Sequence, residues 1–297
     1  MPCFKRRDVP FDPTHRFSTS WLLPLPLLFL YRALVSLYCF TTTFFLLAHD
    51  CVHDDCKESD QYNSFFTHLT FWGIAFYSLF AAVHTGSCWL WGRPLLSGWP
   101  RWLQELHGVL YSTVVVFPWL VTIVFWTLLF SGTFTSSLNA WTNITQHGLN
   151  AVFAFLEIVH PRTAAPPIWH LLPLITLLGL YLALAFITVA TQHFYVYDFL
   201  DYRVSGARAV AGYCFGILGG VIVVFGVVHG LVKLRVWVTE GLLGMEGKFG
   251  GRRRDRERDE EEEILKLREW KREPVKETVQ MPKMMEPQLA FLTMQRE

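Results

Sequence analysis

Residues 141–162 read W-T-N-I-T-Q-H-G-L-N-A-V-F-A-F-L-E-I-V-H-P-R. This stretch is long enough to cross a bilayer, yet it carries Gln146, His147, Asn150 and Glu157. A polar group without a partner is costly in hydrocarbon, where no water can satisfy it. Two interpretations therefore compete: the polar groups lock this helix to its neighbours, or they line a site.

The composition of the whole chain favours a membrane protein. Of 297 residues, 52% are hydrophobic and only 17% are charged, whereas soluble domains carry about 25% charged residues. Much of that charge lies after residue 247, and long apolar runs dominate before it. Residues 1–20 are too polar for a cleavable signal peptide. The sequence predicts a protein integral in the membrane, with lipid as its partner and no nucleic acid.

Six apolar runs predict an all-α, multi-pass transmembrane bundle of six helices. Each run is near the ~20 residues that span ~30 Å of hydrocarbon, and Trp and Tyr cluster at the ends of the runs, as at membrane interfaces. The fourth run is the most polar. The runs cover residues 24–48, 65–87, 108–130, 141–159, 169–190 and 207–236.

The predicted organisation has three parts. Residues 1–23 form a cytosolic N-terminal segment, residues 24–238 the six-span domain, and residues 239–297 a charged cytosolic tail. Within the tail, alternating charges over residues 252–273 favour a helix. Residues 274–297 have the composition of a disordered segment.

Basic residues in short loops predict the orientation. Arg93, Arg101 and Arg162 share one side with residues 1–20, which hold four basic residues. The other side is poorer in Lys and Arg. Both termini are therefore predicted to be cytosolic, in the endoplasmic reticulum or the plasma membrane.

The predicted topology places two polar side chains at the same depth in the membrane. Thr70 lies five residues after Phe65 and His147 six residues after Trp141, so both lie roughly 8–9 Å inside the same face. A hydroxyl beside an imidazole is the minimal arrangement of nucleophile and base. The alternative is structural, because a membrane threonine often bonds its own helix and a membrane histidine often joins helices.

Neighbouring polar residues could support such a pair. His68 competes with His147 for the role of base, and Gln146 and Asn150 are candidate supporting groups on the same helix as His147. Glu157 lies ten residues beyond His147, too far to orient it, and is expected to pair with Arg162 or with a neighbouring helix.

The loop H-D-C-V-H-D-D-C at residues 49–56 leaves three alternatives open: a metal site, a Cys51–Cys56 disulfide, or an ordinary polar loop. Its order of ligands does not match a standard zinc pattern. Histidines near the ends of several runs also raise a b-type heme alternative, although they form no obvious two-layer pattern. The preferred prediction has no metal and no cofactor.

Four motifs in order resemble one known family. They are H-L-T-F at residues 68–71, V-V-V-F-P-W-L-V-T-I-V-F-W at 114–126, His147 followed ten residues on by Glu157, and Y-V-Y-D-F-L-D with S-G-A-R within 195–208. The chain thereby resembles the androgen-induced and androgen-dependent TFPI-regulating protein family, in its fungal branch.

The resemblance implies a six-span threonine hydrolase that cleaves fatty acid esters of hydroxy fatty acids. It assigns the nucleophile to Thr70 and the catalytic histidine to His147. The chain departs from the family pattern at Ile144, where the family has a second histidine. The resulting hypothesis is an intramembrane lipid ester hydrolase. The alternatives are a non-enzymatic lipid-binding or scaffold protein and a heme-binding redox protein.

Overall fold

The computed structural model describes residues 10–53 and 55–245, and every regular segment in those ranges is helical. The helix predicted over 252–273 and the disorder predicted over 274–297 lie outside the described residues. The α-helices are α1 (Leu25–His53), α2 (Lys57–Gln61), α3 (Phe66–Trp91), α4 (Arg101–Val124), α5 (Ser137–Ile144), α6 (Asn150–Val159), α7 (Leu171–Gln192), α8 (Tyr202–Ser205) and α9 (Ala207–Val236).

Three π-helical turns interrupt or extend these helices. Phe125–Leu129 continues α4, Thr145–Leu149 joins α5 to α6, and Trp237–Leu242 continues α9. A π turn places an extra residue in the helix and shifts the directions of the side chains around it, and such turns are frequent at functional sites. The second of them contains His147.

In the part of the chain that the structure describes, five helical segments are long and apolar enough to cross a membrane. The chain is thus an all-α protein with the helices of a multi-pass membrane protein. The continuous helical run over residues 137–159, formed by α5, the π turn and α6, is not among the five. Its polar side chains explain this, because they lower the mean hydropathy of the run.

Proline and glycine set several helix boundaries. α4 begins directly after Pro100, which needs no amide hydrogen at a helix start. α3 ends at Gly92, whose φ of 73° is the left-handed conformation that glycine adopts without strain. The amide of Gly92 bonds the Cys88 carbonyl, which satisfies one of the last carbonyls of α3.

Burial patterns distinguish central from peripheral helices. α4 contacts α3, α6, α7 and α9, and many of its side chains are buried. α9 instead buries a single stripe at helical spacing, which leaves its other faces for lipid. The stripe consists of Val221, Phe225, Val228 and Val232. α4 and α9 approach closely at Gly220, where a Cβ would lie 3.2 Å from Leu120 Cδ1.

A buried ion pair joins α1 to α6. Arg32 and Glu157 are 1% and 4% exposed, and their side chains form a two-pronged contact. Glu157 also accepts the Tyr77 hydroxyl at 2.8 Å, and Arg32 donates to Thr85 Oγ1 at 2.8 Å. Of the two partners expected for Glu157, the neighbouring helix is correct, whereas the Arg162 guanidinium lies beside Glu240.

The polar stretch between the first two predicted runs, residues 49–64, is largely helical. α1 continues through His53, and Asp50 Oδ2 accepts the Ser59 amide at 2.7 Å. Cys51 and Cys56 form a disulfide. The described residues include no group of three His, Cys, Asp or Glu side chains placed to hold a metal ion.

Residues 10–24, called the N-terminal segment below, bind along one end of the bundle. Trp21 Nε1 donates to the Val159 carbonyl at 2.6 Å, and Ser20 Oγ donates to the His160 carbonyl. The Arg162 amide donates to the Thr19 carbonyl at 2.9 Å. The segment is thereby fixed to the residues that follow α6.

Candidate functional site: a polar layer beside an apolar cavity

The polar layer lies where the π turn of residues 145–149 contacts both α3 and α4. This turn carries Gln146 and His147, and α3 carries His68 and Thr70. Gly148 lies inside the same turn, and a Cβ atom added there would have no neighbouring atom within 4 Å. The π turn therefore sets the directions of the Gln146 and His147 side chains, and α3 sets those of His68 and Thr70.

His68 and Gln146 are joined. His68 Nε2 lies 3.1 Å from Gln146 Oε1, and His68 Nδ1 lies 2.7 Å from the Tyr62 carbonyl oxygen. The Gln146 amide nitrogen also lies 3.2 Å from the Tyr62 hydroxyl oxygen, which is 3.5 Å from Thr43 Oγ1. His68 Nδ1 faces a carbonyl oxygen and therefore carries the proton of a neutral imidazole, so Nε2 is an acceptor. It pairs with Gln146 in the amide orientation that turns the NH2 group toward the ring. These two predicted supporting residues thus form one hydrogen-bonded chain.

His147 is held by its own helix and by an aromatic ring. Its Nδ1 lies 3.2 Å from the Asn143 carbonyl oxygen, so Nδ1 carries the proton and donates it. The ring stacks on Phe125 with centroids 3.6 Å apart and planes 11° apart. Its carbonyl accepts the Trp126 indole N–H at 3.0 Å. This tautomer leaves Nε2 unprotonated, which is the form a general base needs.

Thr70 is buried and bonds its own helix. Its hydroxyl donates to the Thr67 carbonyl at 2.8 Å, and the residue is 8% exposed. Within the described ranges, no hydrogen bond joins Thr70 to His147. The structure therefore places both residues on contacting elements but has each engaged with backbone of its own helix.

Asn150 faces α4 rather than His147. Its Oδ1 accepts the Thr122 hydroxyl at 3.1 Å and the Ala151 amide at 2.7 Å. Its Nδ2 is buried with no acceptor among the described residues. Asn150 thus connects the polar layer to α4 through its Oδ1, and its Nδ2 remains available as a donor.

An apolar cavity of about 320 Å³ adjoins this layer. It lies between α4, α7 and α9, and it is bordered by Thr67, Phe125 and Tyr197. Along α4 and the π turn that continues it, the cavity extends from Leu120 to Leu129, a distance of about 13 Å. Its size falls within the ~300–1,000 Å³ usual for ligand sites, and its lining suits a hydrocarbon chain.

Two residues connect the cavity with the polar layer. Phe125 lines the cavity and stacks on His147, and Thr67 lines it and accepts the Thr70 hydroxyl on its carbonyl. Sequence reasoning missed Phe125, Tyr62 and the cavity itself. The only signal for Thr67 was its position three residues before Thr70, which places both on one helix face.

Two other histidines that motivated the heme alternative are in direct contact. His84 on α3 and His107 on α4 have ring centroids 5.1 Å apart in an edge arrangement, and both are buried. Such direct ring contact leaves no room for a porphyrin between the two imidazoles. His84 also packs its ring edge-on against Trp99.

Comparisons with family models, curated proteins and solved structures give no match to this chain, so the functional argument rests on the site itself.

Proposed function

We propose that this chain is an intramembrane lipid ester hydrolase with Thr70 as nucleophile and His147 as base. One observation carries the proposal: two residues that line the apolar cavity also contact the pair, Thr67 through its carbonyl to the Thr70 hydroxyl and Phe125 through its ring to His147. The apolar lining of the cavity suits a fatty acyl chain as the bound part of the substrate. A fatty acid ester of a hydroxy fatty acid has both such a chain and an ester bond for Thr70 to attack.

The proposed reaction has two steps: transfer of the acyl group to Thr70, and hydrolysis of the acyl-threonine. Thr70 Oγ1 attacks the ester carbonyl carbon while His147 Nε2 takes the hydroxyl proton; the intermediate then expels the alcohol, which leaves with that proton. Water next attacks the acyl-threonine, again giving a proton to Nε2, and the fatty acid is released as Thr70 regains its proton. Attack requires the Thr70 hydroxyl to turn away from the Thr67 carbonyl. Asn150 Nδ2 is the proposed donor to the developing oxyanion.

The proposed topology has six spans, with residues 137–159 as the fourth. Both termini are cytosolic, in the endoplasmic reticulum or the plasma membrane. The pairing of Glu157 with Arg32 supports a spanning fourth segment, because it removes the largest polar cost of that segment.

A fluorophosphonate probe tests the chemistry on the full chain in membranes. We expect labelling of the unmodified protein and its loss in Thr70→Ala and in His147→Ala. The matched controls are Thr113→Ala and His229→Ala. Thr113 also bonds a carbonyl three residues back, and His229 also pairs with a backbone carbonyl. Retained labelling of Thr70→Ala would refute the assignment of the nucleophile.

A non-enzymatic lipid-binding protein is the second candidate. The bonds of Thr70 and His147 to their own helices favour it, because both side chains are then structural. It predicts no labelling of the unmodified protein, together with lower thermal stability of His147→Ala. A Soret band in the purified protein would instead support the heme-binding alternative.

A further inference from the structure

Three arginines from separate segments meet at one end of the bundle. Arg16 of the N-terminal segment binds Glu240 through two contacts of 2.9 and 2.6 Å. Arg162, which follows α6, has its Nε 3.6 Å from Glu240 Oε1. Arg235 of α9 donates to the Thr163 carbonyl. The cluster of Arg16, Arg162, Arg235 and Glu240 is called the arginine site below.

Within the described ranges, the carboxylates near this site do not balance its positive charge. Asp12 is the second carboxylate near it, and the backbone amides of Arg16 and Phe17 already occupy its oxygens at 2.8 and 3.0 Å. Glu157 is compensated by Arg32. Among the described residues, three guanidinium groups thus face two carboxylates, and one positive charge is in excess.

Hydrogen-bond donors at the site also lack acceptors. The Nε atoms of Arg16, Arg162 and Arg235 and the hydroxyl of Thr163 are buried without a partner in the described ranges. The side chain of Arg162 is only 9% exposed, and its nearest carboxylate oxygen lies beyond hydrogen-bond distance. Burial lowers the pKa of the Arg162 guanidinium, while Glu240 opposes that change. Such a surplus of donors calls for a ligand that is negative and rich in acceptors.

We propose that the arginine site binds the phosphate of an anionic lipid headgroup. The site lies where α1 begins and α9 ends. Both helices are long and apolar enough to span a membrane, and the ends of spanning helices are where lipid headgroups would contact the protein. Guanidinium groups pair with phosphate oxygens in a planar, two-pronged geometry. Anionic lipids are concentrated in the cytoplasmic leaflet, which agrees with the proposed orientation. The inference does not depend on the hydrolase activity.

Native mass spectrometry of the full chain in neutral lipid, titrated with phosphatidic acid, tests the site. We expect Arg162→Gln to weaken lipid binding about fivefold to tenfold, in line with the loss of one phosphate contact. Arg162→Lys keeps the charge and should retain part of the affinity. The matched control is Arg93→Gln, since Arg93 is an exposed cation at the same end of the bundle. Its affinity should stay within about twofold of the unmodified protein.

Three results would overturn the proposal. Equal losses of lipid affinity in Arg162→Gln and Arg93→Gln would indicate general charge attraction. Unchanged lipid affinity of Arg162→Gln would show that Arg162 does not bind the lipid. Displacement of the lipid by inorganic phosphate at equal concentration would assign the site to free phosphate instead of a lipid. If Arg162→Gln does not fold, the lipid affinity of Glu240→Gln tests the proposal instead. Removal of that carboxylate should tighten lipid binding about fivefold, whereas unchanged affinity would contradict a phosphate site.

Discussion

Arg32 and Glu157 illustrate how this membrane domain keeps charges inside an apolar bundle. Each is almost fully buried, and each has further hydrogen-bond partners on α3, namely Thr85 and Tyr77. Burial of a lone charge is far more costly than burial of a satisfied pair. The pair therefore fixes how α1, α3 and α6 fit together.

Removal of one partner of this pair should be strongly destabilising. We expect Glu157→Gln to lower the free energy of unfolding by about 3–5 kcal/mol, because Arg32 would remain buried and charged. The double variant Arg32→Met with Glu157→Leu should recover much of that loss. Thermal unfolding in detergent measures both. Equal stability of Glu157→Gln and the unmodified protein would contradict the prediction.

Gln146 should contribute stability through His68 and Tyr62. Replacement by Leu leaves His68 Nε2 and the Tyr62 hydroxyl without this amide. We expect a loss of about 1–3 kcal/mol, and a smaller loss in the double variant Gln146→Leu with His68→Phe. Denaturant unfolding followed by tryptophan fluorescence is the measurement. A larger loss in the double variant would show that the two residues act independently.

Sequence reasoning predicted a common depth for the candidate residues but could not predict the directions of their side chains. Counting residues from the ends of the runs placed Thr70 and His147 at one level. The rotation of each helix about its axis could not be derived, because the π turn at 145–149 changes side-chain directions and has no clear sequence signal. Distant partners such as Tyr62 and Phe125 depend on the same rotation.

Among the helices, α4 and α9 come into close contact at one small residue, Gly220. Gly220 lies against Leu120, a residue that also lines the apolar cavity. Gly219 precedes it on α9 and has open space around its Cβ position. These adjacent glycines offer a matched test of close helix packing.

A larger side chain at Gly220 should separate α4 from α9. We expect Gly220→Leu to destabilise the protein by about 1–3 kcal/mol through overpacking, whereas Gly219→Leu should have little effect. Thermal unfolding of both variants in the same detergent gives the comparison. Similar losses for the two variants would contradict the close approach at Gly220.

Hydropathy predicted the bounds of apolar helices well. It did not predict where a helix begins when its first turns are polar. The predicted run 207–236 coincides with α9, and the run 65–87 closely matches α3. α4 instead begins seven residues before the predicted 108, since its first turns carry polar residues such as Gln104. Gln104 Nε2 donates to the Leu96 carbonyl, a tertiary bond that hydropathy cannot report.

At the scale of the whole molecule, the fourth segment determines the topology. If residues 137–159 cross the membrane, the loops that precede and follow them lie on opposite sides. Thr133 and Ala164 are exposed positions in those two loops. In sealed microsomes treated with an impermeant maleimide, Ala164→Cys should react at once and Thr133→Cys only after permeabilisation. Simultaneous labelling of both variants would exclude a spanning segment between them.

The separation of Arg32 and Glu157 along the chain also has a consequence for biosynthesis. The two residues are 125 positions apart, so at about 5–20 residues per second Glu157 is polymerised about 6–25 s after Arg32. During that interval α1 carries a charge that its own helix cannot neutralise. We therefore expect α1 to remain at the insertion machinery until α6 has been made, which couples the release of the first helix into lipid to translation of the fourth segment.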